Sequence, residues 1–499
     1  LRLQPGKSSS KTVGSILRWA DESIIDDIGL WILIAIIVFT SIQGTIHALL
    51  NKRDPRSALL WLIINLGIPV FGPLSYWLLG INRIRRKAHR LYRHHTPYFR
   101  TTGAEAFTVH SLPDRFRAFR NLEHLADRVT RNSTLSGNTV LPLFNGEQAY
   151  PEMLAAIEHA TDSIHISSYI FDGDGVGETF AEALRSAASR GVHVRIIVDA
   201  LGELYSKHPI RTVLKGQNVS IHPYLPLYKS PFINLRNHRK LLIVDSSLAF
   251  TGGMNIRTNH CLEKVSPDHA TRDINFKVRG PSVKDLQLSF LDDWHFVTGN
   301  VIDLPYIESD SAPVREGEAL VRVVSDGPDR EHRMLELLIT GALTAAQKNI
   351  WIMTPYFIPD RAMVSALITT ALRGVDVTLV VPKISNLPFV SWASRATYWE
   401  LLQNGVTIFE QPPPFNHTKL MTVDGVWSLI GSANLDTRSL RLNFELNLSV
   451  YDAYLTESLN QYVEEILNFS HRVSLQEMDH RPLPIRVRDG IARLFSPYL

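Results

Sequence analysis

The chain repeats one strand–helix–strand pattern, and this repeat constrains its fold more than any other feature. An apolar run, IHISSYIF at 164–171, is followed by a helical stretch, Arg-Gly-Val and the strand RIIVDA. The same order recurs from IWIMTPYFI at 350–358 through Arg-Gly-Val to TLVVPK. This spacing predicts βαβ units and a mostly parallel sheet. We therefore expect an α/β sandwich-type unit of two pseudo-symmetric half-domains, joined near 308–318, where proline and glycine interrupt the pattern.

Each half carries the same polar residues at identical spacing, in NHRKLLIVDSSLAFTGGMN at 237–255 and in NHTKLMTVDGVWSLIGSAN at 416–434. An acidic residue follows each copy, Asp273 in RDINFKV and Glu445 in FELNLSV. The polar residues of the two copies are His238, Lys240, Asp245 and Asn255, and then His417, Lys419, Asp424, Ser432 and Asn434.

The spacing of these residues has a chemical meaning. His-x-Lys at the start of a strand points an imidazole and an ammonium to the same side, because side chains alternate along a strand. Glycines near the asparagine let the backbone approach the same point. Two copies facing each other would surround one small anion with two histidines, two lysines and two asparagines. Phosphoryl transfer uses such a set, with a nucleophile, a proton donor and fixed positive charge.

Structural roles compete with functional ones for several of these residues. A lone histidine on a strand is usually structural, but two complete copies in matched positions favour a site. Asp245 and Asp424 belong to the motif, yet each follows an apolar run and suits bracing better than substrate contact. Asp273 and Glu445 suit the orientation of a histidine, with a surface ion pair as the alternative. A metal site is disfavoured, because a lysine beside each histidine repels a cation.

Two uncharged segments near the N-terminus have the length of membrane spans. Residues 28–50 carry no charge, and residues 57–82 form a second window that contains Pro69, Gly72 and Pro73. We predict a transmembrane helical hairpin whose second helix is kinked or re-entrant. Two buried core helices of a soluble protein are the alternative.

A basic run follows the second segment, with arginines or lysine at 83, 85, 86, 87, 90 and 93. The positive-inside rule then places the rest of the chain in the cytoplasm, and the run can bind anionic lipids. Lys52, Arg53 and Arg56 in the connection give a competing signal. The predicted domains are a tail at 1–27, two membrane helices at 28–82, a basic linker with a helix at 83–134, and half-domains at 135–312 and 313–499.

The C-terminal segment is a predicted amphipathic helix. Its apolar face contains Val487, Ile491, Leu494, Phe495 and Tyr498. Packing of this face on the catalytic core is favoured, and burial in a lipid interface is the alternative. The single cysteine, Cys261, excludes intrachain disulfides and zinc sites built from cysteine pairs. A net charge of +3 does not favour nucleic acid as a partner.

The two motifs resemble those of the phospholipase D superfamily, in which His-x-Lys, followed after four intervening residues by an aspartate, occurs twice. Within it, NLRNHRKLLIVD, TPYFIPD, GSANLDTRS, RLNFELNLSVYD and the N-terminal hairpin resemble membrane-anchored bacterial cardiolipin synthases. Gly253 departs from the pattern, since the second copy has Ser432 at this position.

The resemblance implies phosphatidyl transfer between two phosphatidylglycerol molecules, which gives cardiolipin and glycerol through a phosphatidyl-histidine. His238 would be the nucleophile and His417 the acid and base, although the sequence does not separate this from the reverse. Each acid would support the histidine of the other repeat, Glu445 with His238 and Asp273 with His417. The remaining residues would bind the phosphate, and these are Lys240, Lys419, Asn255, Asn434 and Ser432.

The resemblance implies no cofactor and no metal, and it places the chain in the bacterial cytoplasmic membrane as a multi-pass protein. Alternatives are a membrane-bound phospholipase D or a phosphatidyltransferase with another lipid or alcohol, a nuclease, and a non-catalytic lipid-binding scaffold. The membrane segments argue against the nuclease. The sequence leaves the oligomeric state open, a homo-oligomer included.

Overall fold

A computed structural model describes residues 10–52, 54–81, 107–130, 132–226, 235–302, 318–328 and 333–496, with backbone alone for 10–27. The chain divides into two compact units, Leu1–Arg86 and Lys87–Leu499. The predicted join at 308–317 and the basic run at 83–93 lie outside the described residues.

The N-terminal unit is helical. It consists of α1 (Ser10–Asn51), α2 (Pro55–Gly67), α3 (Phe71–Ser75) and a π-helical turn (Tyr76–Gly80). Helix α1 therefore includes much of the predicted tail. Asp54 begins α2, because its carboxylate accepts hydrogen bonds from the backbone amides of Arg56 and Ser57 at 3.2 and 3.1 Å.

The first apolar segment forms a helix that can cross a bilayer. Residues Ile28–Asn51 make 24 helical residues, and 6% of the most apolar window is buried, unlike a core helix of a soluble protein. No other described helix has this length and apolarity. The second segment is interrupted: α2 has 13 residues and α3 has 5. The break lies at Ile68–Val70, where Val70 has a φ of +67° and Pro69 lacks an amide hydrogen.

The second unit contains the repeated motifs. Its first lobe, residues 135–302, is built from β1 (Leu135–Phe144), α5 (Asn145–His159), β2 (Ser163–Ser168), α6 (Val176–Ser189), β3 (His193–Asp199), α7 (Ile210–Val213), β4 (Ser220–Tyr224), β5 (Arg236–Asn237), β6 (Leu241–Val244), β7 (Leu248–Gly252), β8 (Thr271–Arg272), β9 (Ile274–Arg279) and α8 (Ser282–Thr298). It is preceded by α4 (Arg120–Val129).

The second lobe, residues 318–496, contains the remaining elements. These are β10 (Ala319–Asp326), α9 (Met334–Ala345), β11 (Asn349–Met353), β12 (Phe357–Ile358), α10 (Arg361–Leu372), β13 (Asp376–Pro382), α11 (Pro388–Gln403), β14 (Thr407–Gln411), β15 (Phe415–Asn416), β16 (Leu420–Val423), β17 (Trp427–Gly431), β18 (Leu435–Asp436), β19 (Asn443–Tyr451), α12 (Ala453–Leu467), β20 (His471–Arg472), α13 (Leu475–Asp479) and α14 (Leu483–Leu494).

One continuous sheet joins the two lobes. Its order is β20-β14-β13-β11-β16-β17-β19-β10-β1-β9-β7-β6-β2-β3-β4. The lobes meet where β1 and β10 pair antiparallel. The expectation of a mostly parallel sheet is wrong. Along this order of described strands, pairing is parallel within β2–β3–β4 and β11–β13–β14 and antiparallel elsewhere, and β5 pairs parallel with β19 beside this path. One reason is that β6 and β7, and likewise β16 and β17, are joined by short connections. A connection this short can join only antiparallel strands.

Helices cover both faces of the sheet in the first lobe. Ile164 and Ile166 of β2 belong to the apolar cluster that includes α5 and α6. The intervening His165 points to the other face, where its ring stacks on Phe290 of α8 at a centroid distance of 4.7 Å. A strand buried on both faces has no polar side to expose, which explains the unbroken apolar runs in the sequence.

The segment before β1 is anchored to the second lobe. Leu122 of α4 and Leu338 of α9 belong to one apolar cluster. Beside them, the buried guanidinium of Arg322 on β10 donates hydrogen bonds to the carboxylates of Glu123 and Asp127 at 2.6 and 2.5 Å. The part of the predicted linker that contains α4 therefore packs as part of the second unit.

Helix α14 does not bury its apolar face. Val487 and Ile491 are each 51% exposed and Leu494 is 76% exposed. The opposite face packs on α11, where Ala492 joins Val390 and Ala393 in a small apolar cluster. The expectation that the apolar face packs on the core is wrong, because the small Ala492 allows the closer approach of the two helices.

Candidate active site

Two short ladders between the lobes position the histidines. Strand β5, just before His238, pairs with β19 of the second lobe, and β15, just before His417, pairs with β8 of the first. The pairing extends to the histidines themselves. The His238 amide donates to the Phe444 carbonyl at 2.9 Å, and the His417 amide donates to the Arg272 carbonyl at 2.8 Å. Each histidine thus lies beside the acid-bearing strand of the other lobe.

Each imidazole is hydrogen-bonded to an acid from the other motif. Nδ1 of His238 lies 3.0 Å from Oε2 of Glu445, and Nδ1 of His417 lies 2.9 Å from Oδ2 of Asp273. These contacts confirm the predicted cross-pairing. Because Nδ1 is occupied, Nε2 of each ring remains for a substrate.

The two acids have different surroundings. Glu445 accepts hydrogen bonds from Ser432 Oγ at 2.5 Å and from Asn443 Nδ2 at 3.0 Å. Burial opposes ionisation of Glu445, but the charges of His238 and Lys240 and these hydrogen bonds hold its pKa below the usual value.

Gly253, which replaces a serine in the first motif, faces Asp273. A Cβ at this position would lie 2.5 Å from Oδ1 of Asp273. The departure from the family pattern therefore makes room for the carboxylate. Burial raises the pKa of Asp273, and the charge of Lys419 and a hydrogen bond from the Ile274 amide offset this effect in part.

Both motif lysines are buried and hold their ammonium groups beside the histidines. Nζ of Lys240 donates to the His238 carbonyl at 2.7 Å, and Nζ of Lys419 donates to the His417 carbonyl. Burial lowers the pKa of Lys240 to about 8 and that of Lys419 to about 7. An ammonium has three donors, so each lysine retains hydrogen-bonding capacity for an anion.

Burial also lowers the pKa of both histidines. For His238 the charge of Glu445 opposes the effect. For His417 the charges of Lys419 and Lys240 add to it and bring the pKa well below the usual value. Both imidazoles are therefore neutral in the empty site at neutral pH, and the first role open to either is that of nucleophile.

One cavity of about 550 Å³ contains both histidines and both asparagines, Asn255 and Asn434. Asn255 Oδ1 accepts a hydrogen bond from the Ile170 amide at 3.1 Å. Asn434 Nδ2 donates to Ser439 Oγ at 3.3 Å, while its buried Oδ1 has no hydrogen-bond partner among the residues that the structure describes. The volume suits one lipid headgroup with its acceptor.

Asp245 and Asp424 brace the motifs from a distance. The Asp245 carboxylate accepts hydrogen bonds from the amides of Thr161, Asp162 and Ser163 at 2.8–2.9 Å. That of Asp424 accepts from the amides at 347–349 at 2.8–3.0 Å. These contacts lie beyond β6 and β16, at the opposite ends from the lysines. They tie the motif to the strand beside it, the role that the sequence favoured over substrate contact.

Sequence reasoning missed several residues of the cavity. Tyr169 follows β2 and contacts the His238 ring at a centroid distance of 5.1 Å, and Tyr356 follows β11 and contacts the His417 ring at 6.2 Å. A tyrosine near the end of each repeated apolar run was the available signal. Arg236, Asp436 and Arg438 also line the cavity. No group of three or more metal-binding side chains occurs among the described residues.

Comparisons with known proteins agree with this site. A family model described as "Cardiolipin synthase, PLD-like domain" matches residues 153–294 and 339–467. The chain is 33% identical to the cardiolipin synthase of Geobacillus sp. (strain WCH70) over 455 residues, which cover 90% of each chain. It is 34% identical to cardiolipin synthase 2 of Bacillus anthracis over 463 residues, 90% of this chain and 88% of that one.

A solved structure shows a similar fold. The phosphatidylserine synthase of Haemophilus influenzae Rd KW20 matches with a TM-score of 0.58 and 14% identity, over 76% of this chain and 100% of that chain. With two His-x-Lys motifs around one cavity, the fold and site define a phosphatidyltransferase of the phospholipase D class. Within that class, the chain belongs to the cardiolipin synthase family.

The lowered pKa of Lys419 predicts an alkaline limit to activity. Because its pKa in the empty site is about 7, this lysine loses its charge as the pH rises above that value. We expect kcat/KM to fall by about tenfold per pH unit on that limb. Lys419→Arg keeps the charge and should move the limb to higher pH, whereas the exposed control Lys348→Arg should not. A wild-type profile that is flat to pH 10 would contradict the assignment.

Proposed function

We propose that this chain transfers a phosphatidyl group between two phosphatidylglycerol molecules and forms cardiolipin and glycerol. The observation that carries the proposal is the pair of histidines at one cavity, each supported by an acid of the other lobe, with two buried lysines beside them. This arrangement supplies a nucleophile, a proton donor and positive charge for one phosphodiester.

In the first step, Nε2 of His238 attacks phosphorus and forms a P–N bond. The P–O bond to the departing glycerol breaks, and His417 donates its proton to the glycerol oxygen. Both histidines are neutral in the empty site, so His417 has to gain this proton once the anionic phosphate is bound. An anion favours the imidazolium form, and Asp273 at Nδ1 stabilises the charge.

In the second step the roles of His417 reverse. It accepts the proton of the terminal hydroxyl of a second phosphatidylglycerol, whose oxygen attacks phosphorus while the P–N bond breaks. Lys240, Lys419, Asn255 and Asn434 bind the non-bridging oxygens in both steps. One phosphodiester replaces another, so the exchange needs no nucleotide.

The opposite assignment also has support. His417 has the more strongly lowered pKa, and Glu445, the partner of His238, is held in its ionised form. These charges favour a neutral His417 as nucleophile and His238 as proton donor. The resemblance to the superfamily favours His238 as nucleophile, and this is the assignment we propose.

We further infer that the two lobes are pseudo-symmetric copies and that residues 28–82 form a membrane hairpin with the following domain in the cytoplasm. The matching strand orders on either side of the β1–β10 pair and the two matches of the family model support the first inference. The exposed apolar helix Ile28–Asn51 and the hydrogen bond between Nδ1 of His47 on α1 and the Tyr76 hydroxyl, at 2.8 Å, support the hairpin. The basic run at 83–93 supports the cytoplasmic side.

Helix α14 has an exposed apolar surface next to the cavity. Its exposed apolar residues lie beside α11, and Val390 of α11 lines the cavity. The exposed Arg486 and Arg493 of the same helix suit anionic headgroups, whereas Arg488 is ion-paired with Asp489. We propose that α14 lies in the lipid interface, where scarce water favours transfer over hydrolysis.

This surface can be tested by fluorescence. Val487→Cys, labelled with an environment-sensitive dye in vesicles that contain anionic lipid, should be quenched by brominated acyl chains at least about twofold more than Glu457→Cys on the exposed side of α12. The native Cys261 is buried, which limits background labelling. Equal quenching at both positions would show that α14 lies in water.

The products distinguish the proposal from its main alternative. Purified protein given labelled phosphatidylglycerol alone should release cardiolipin and glycerol in equal amounts. A phospholipase D would instead release phosphatidic acid and glycerol. His238→Ala and His417→Ala should each lower turnover by at least about 10³-fold, since both steps need both histidines. Full activity in either variant would favour a non-catalytic role for the motifs.

The covalent intermediate can be located directly. After a rapid acid-free quench of the wild-type reaction, peptide mass spectrometry should find the phosphatidyl group on the peptide that contains His238. The group on the His417 peptide would establish the reverse assignment, and the two peptides serve as internal controls for each other.

A further inference from the structure

The two lobes differ in charge at matched positions next to the histidines. Two residues before His238 stands Arg236, whereas two residues before His417 stands Phe415. At the ends of the corresponding strands β3 and β13, the first lobe has Asp199 and the second has Pro382. One lobe therefore places a buried ion pair where the other has apolar side chains. A phosphodiester bound symmetrically between the motifs does not require this difference.

Within the part of the chain that the structure describes, Arg236 lacks the hydrogen bonds that a buried guanidinium needs. Its side chain is 1% exposed, and Nε, Nη1 and Nη2 have no hydrogen-bond partner among those residues. Asp199 supplies a counter-charge at 4.0 Å, but its oxygens already accept hydrogen bonds from the amides of Leu201, Gly202 and Asn237. Buried donors without acceptors cost free energy, so the arrangement is suited to a ligand that supplies the acceptors.

A second arginine lines the same cavity. Arg438 lies between β18 and β19 and is half-buried. Its backbone carbonyl accepts hydrogen bonds from the amides at 441–443, whereas its guanidinium makes no hydrogen bond or ion pair with the described residues. Arg236 and Arg438 line the same cavity. Burial lowers the pKa of Arg236, and the charge of Arg438 lowers it further. Two like charges on the wall of one cavity favour an anion between them. A guanidinium pairs in bidentate fashion with phosphate.

The position of Arg236 relative to His238 matches the length of the acceptor. Side chains two residues apart on an extended segment leave the chain on the same side, about 7 Å apart. A phosphatidylglycerol acceptor carries its own phosphate one glycerol away from the attacking hydroxyl. When that hydroxyl is at the phosphatidyl-histidine, the second phosphate lies at about the distance of Arg236.

We propose that Arg236 and Arg438 bind the phosphate of the acceptor lipid and thereby select a phosphate-bearing alcohol over water or a neutral alcohol. This proposal rests on the proposed function and adds the residues that choose the second substrate. The subsite takes an organic phosphodiester; free phosphate offers similar oxygens but no attacking hydroxyl.

The test compares transfer with hydrolysis in one reaction. Full-length Arg236→Met and Arg438→Met are given labelled phosphatidylglycerol in vesicles, and cardiolipin, phosphatidic acid and glycerol are measured. We expect the ratio of cardiolipin to phosphatidic acid to fall at least tenfold in each variant. With monoacylglycerol, an acceptor without phosphate, wild type and variants should give the same ratio of transfer product to phosphatidic acid. Arg361→Met, at an exposed ion pair, is the matched control and should keep the wild-type ratio.

The outcomes separate the two proposals. Unchanged ratios of cardiolipin to phosphatidic acid in both variants would overturn the acceptor subsite. Absence of cardiolipin and glycerol in the wild type would instead overturn the proposed function. If removal of the buried Arg236 prevents folding, the half-buried Arg438 decides the result alone, since its loop position tolerates substitution better.

Discussion

The arrangement of the site depends on two short strand pairings between the lobes, β5 with β19 and β15 with β8. The segment before each histidine pairs with the acid-bearing strand of the other lobe, and each imidazole then meets the acid of the other motif. Neither lobe therefore holds a complete histidine–acid pair. The orientation and the tautomer of both rings depend on correct assembly of the two lobes, because the Nδ1 contact fixes which nitrogen faces the cavity.

The same assembly concentrates ionisable groups in a small buried volume. Two lysines, two histidines and two acids lie together, and burial lowers the pKa of each lysine. An empty site of this kind holds charges that water does not stabilise, and a bound phosphodiester anion relieves this cost. The proposed affinity for phosphate would thus follow from the fold that buries the lysines. Asp245 and Asp424 brace the site by accepting hydrogen bonds from backbone amides.

The lobes are not equivalent in detail, and the differences lie around the acids and the cavity wall. Ser432 donates to Glu445, while Gly253 leaves room for Asp273, which has one methylene less. Arg236 and Phe415 occupy matched positions beside the two histidines. Such an asymmetric cavity is compatible with a reaction in which the two histidines have different roles and two lipid molecules bind at different positions.

Sequence alone predicted the motif residues, the bracing aspartates and the first apolar helix, because spacing, periodicity and charge are local properties. The predictions of a mostly parallel sheet and of a buried apolar face on α14 were wrong. Strand direction depends on pairing between distant segments, and the contacts of α14 depend on distant residues such as Val390, which packs with Ala492. The cross-pairing came from the family resemblance and was confirmed by the tertiary contacts. Only the tertiary structure could show that the guanidinium of Arg236 is buried beside the cavity without a hydrogen bond to any described residue, because burial and hydrogen bonding depend on all surrounding elements together.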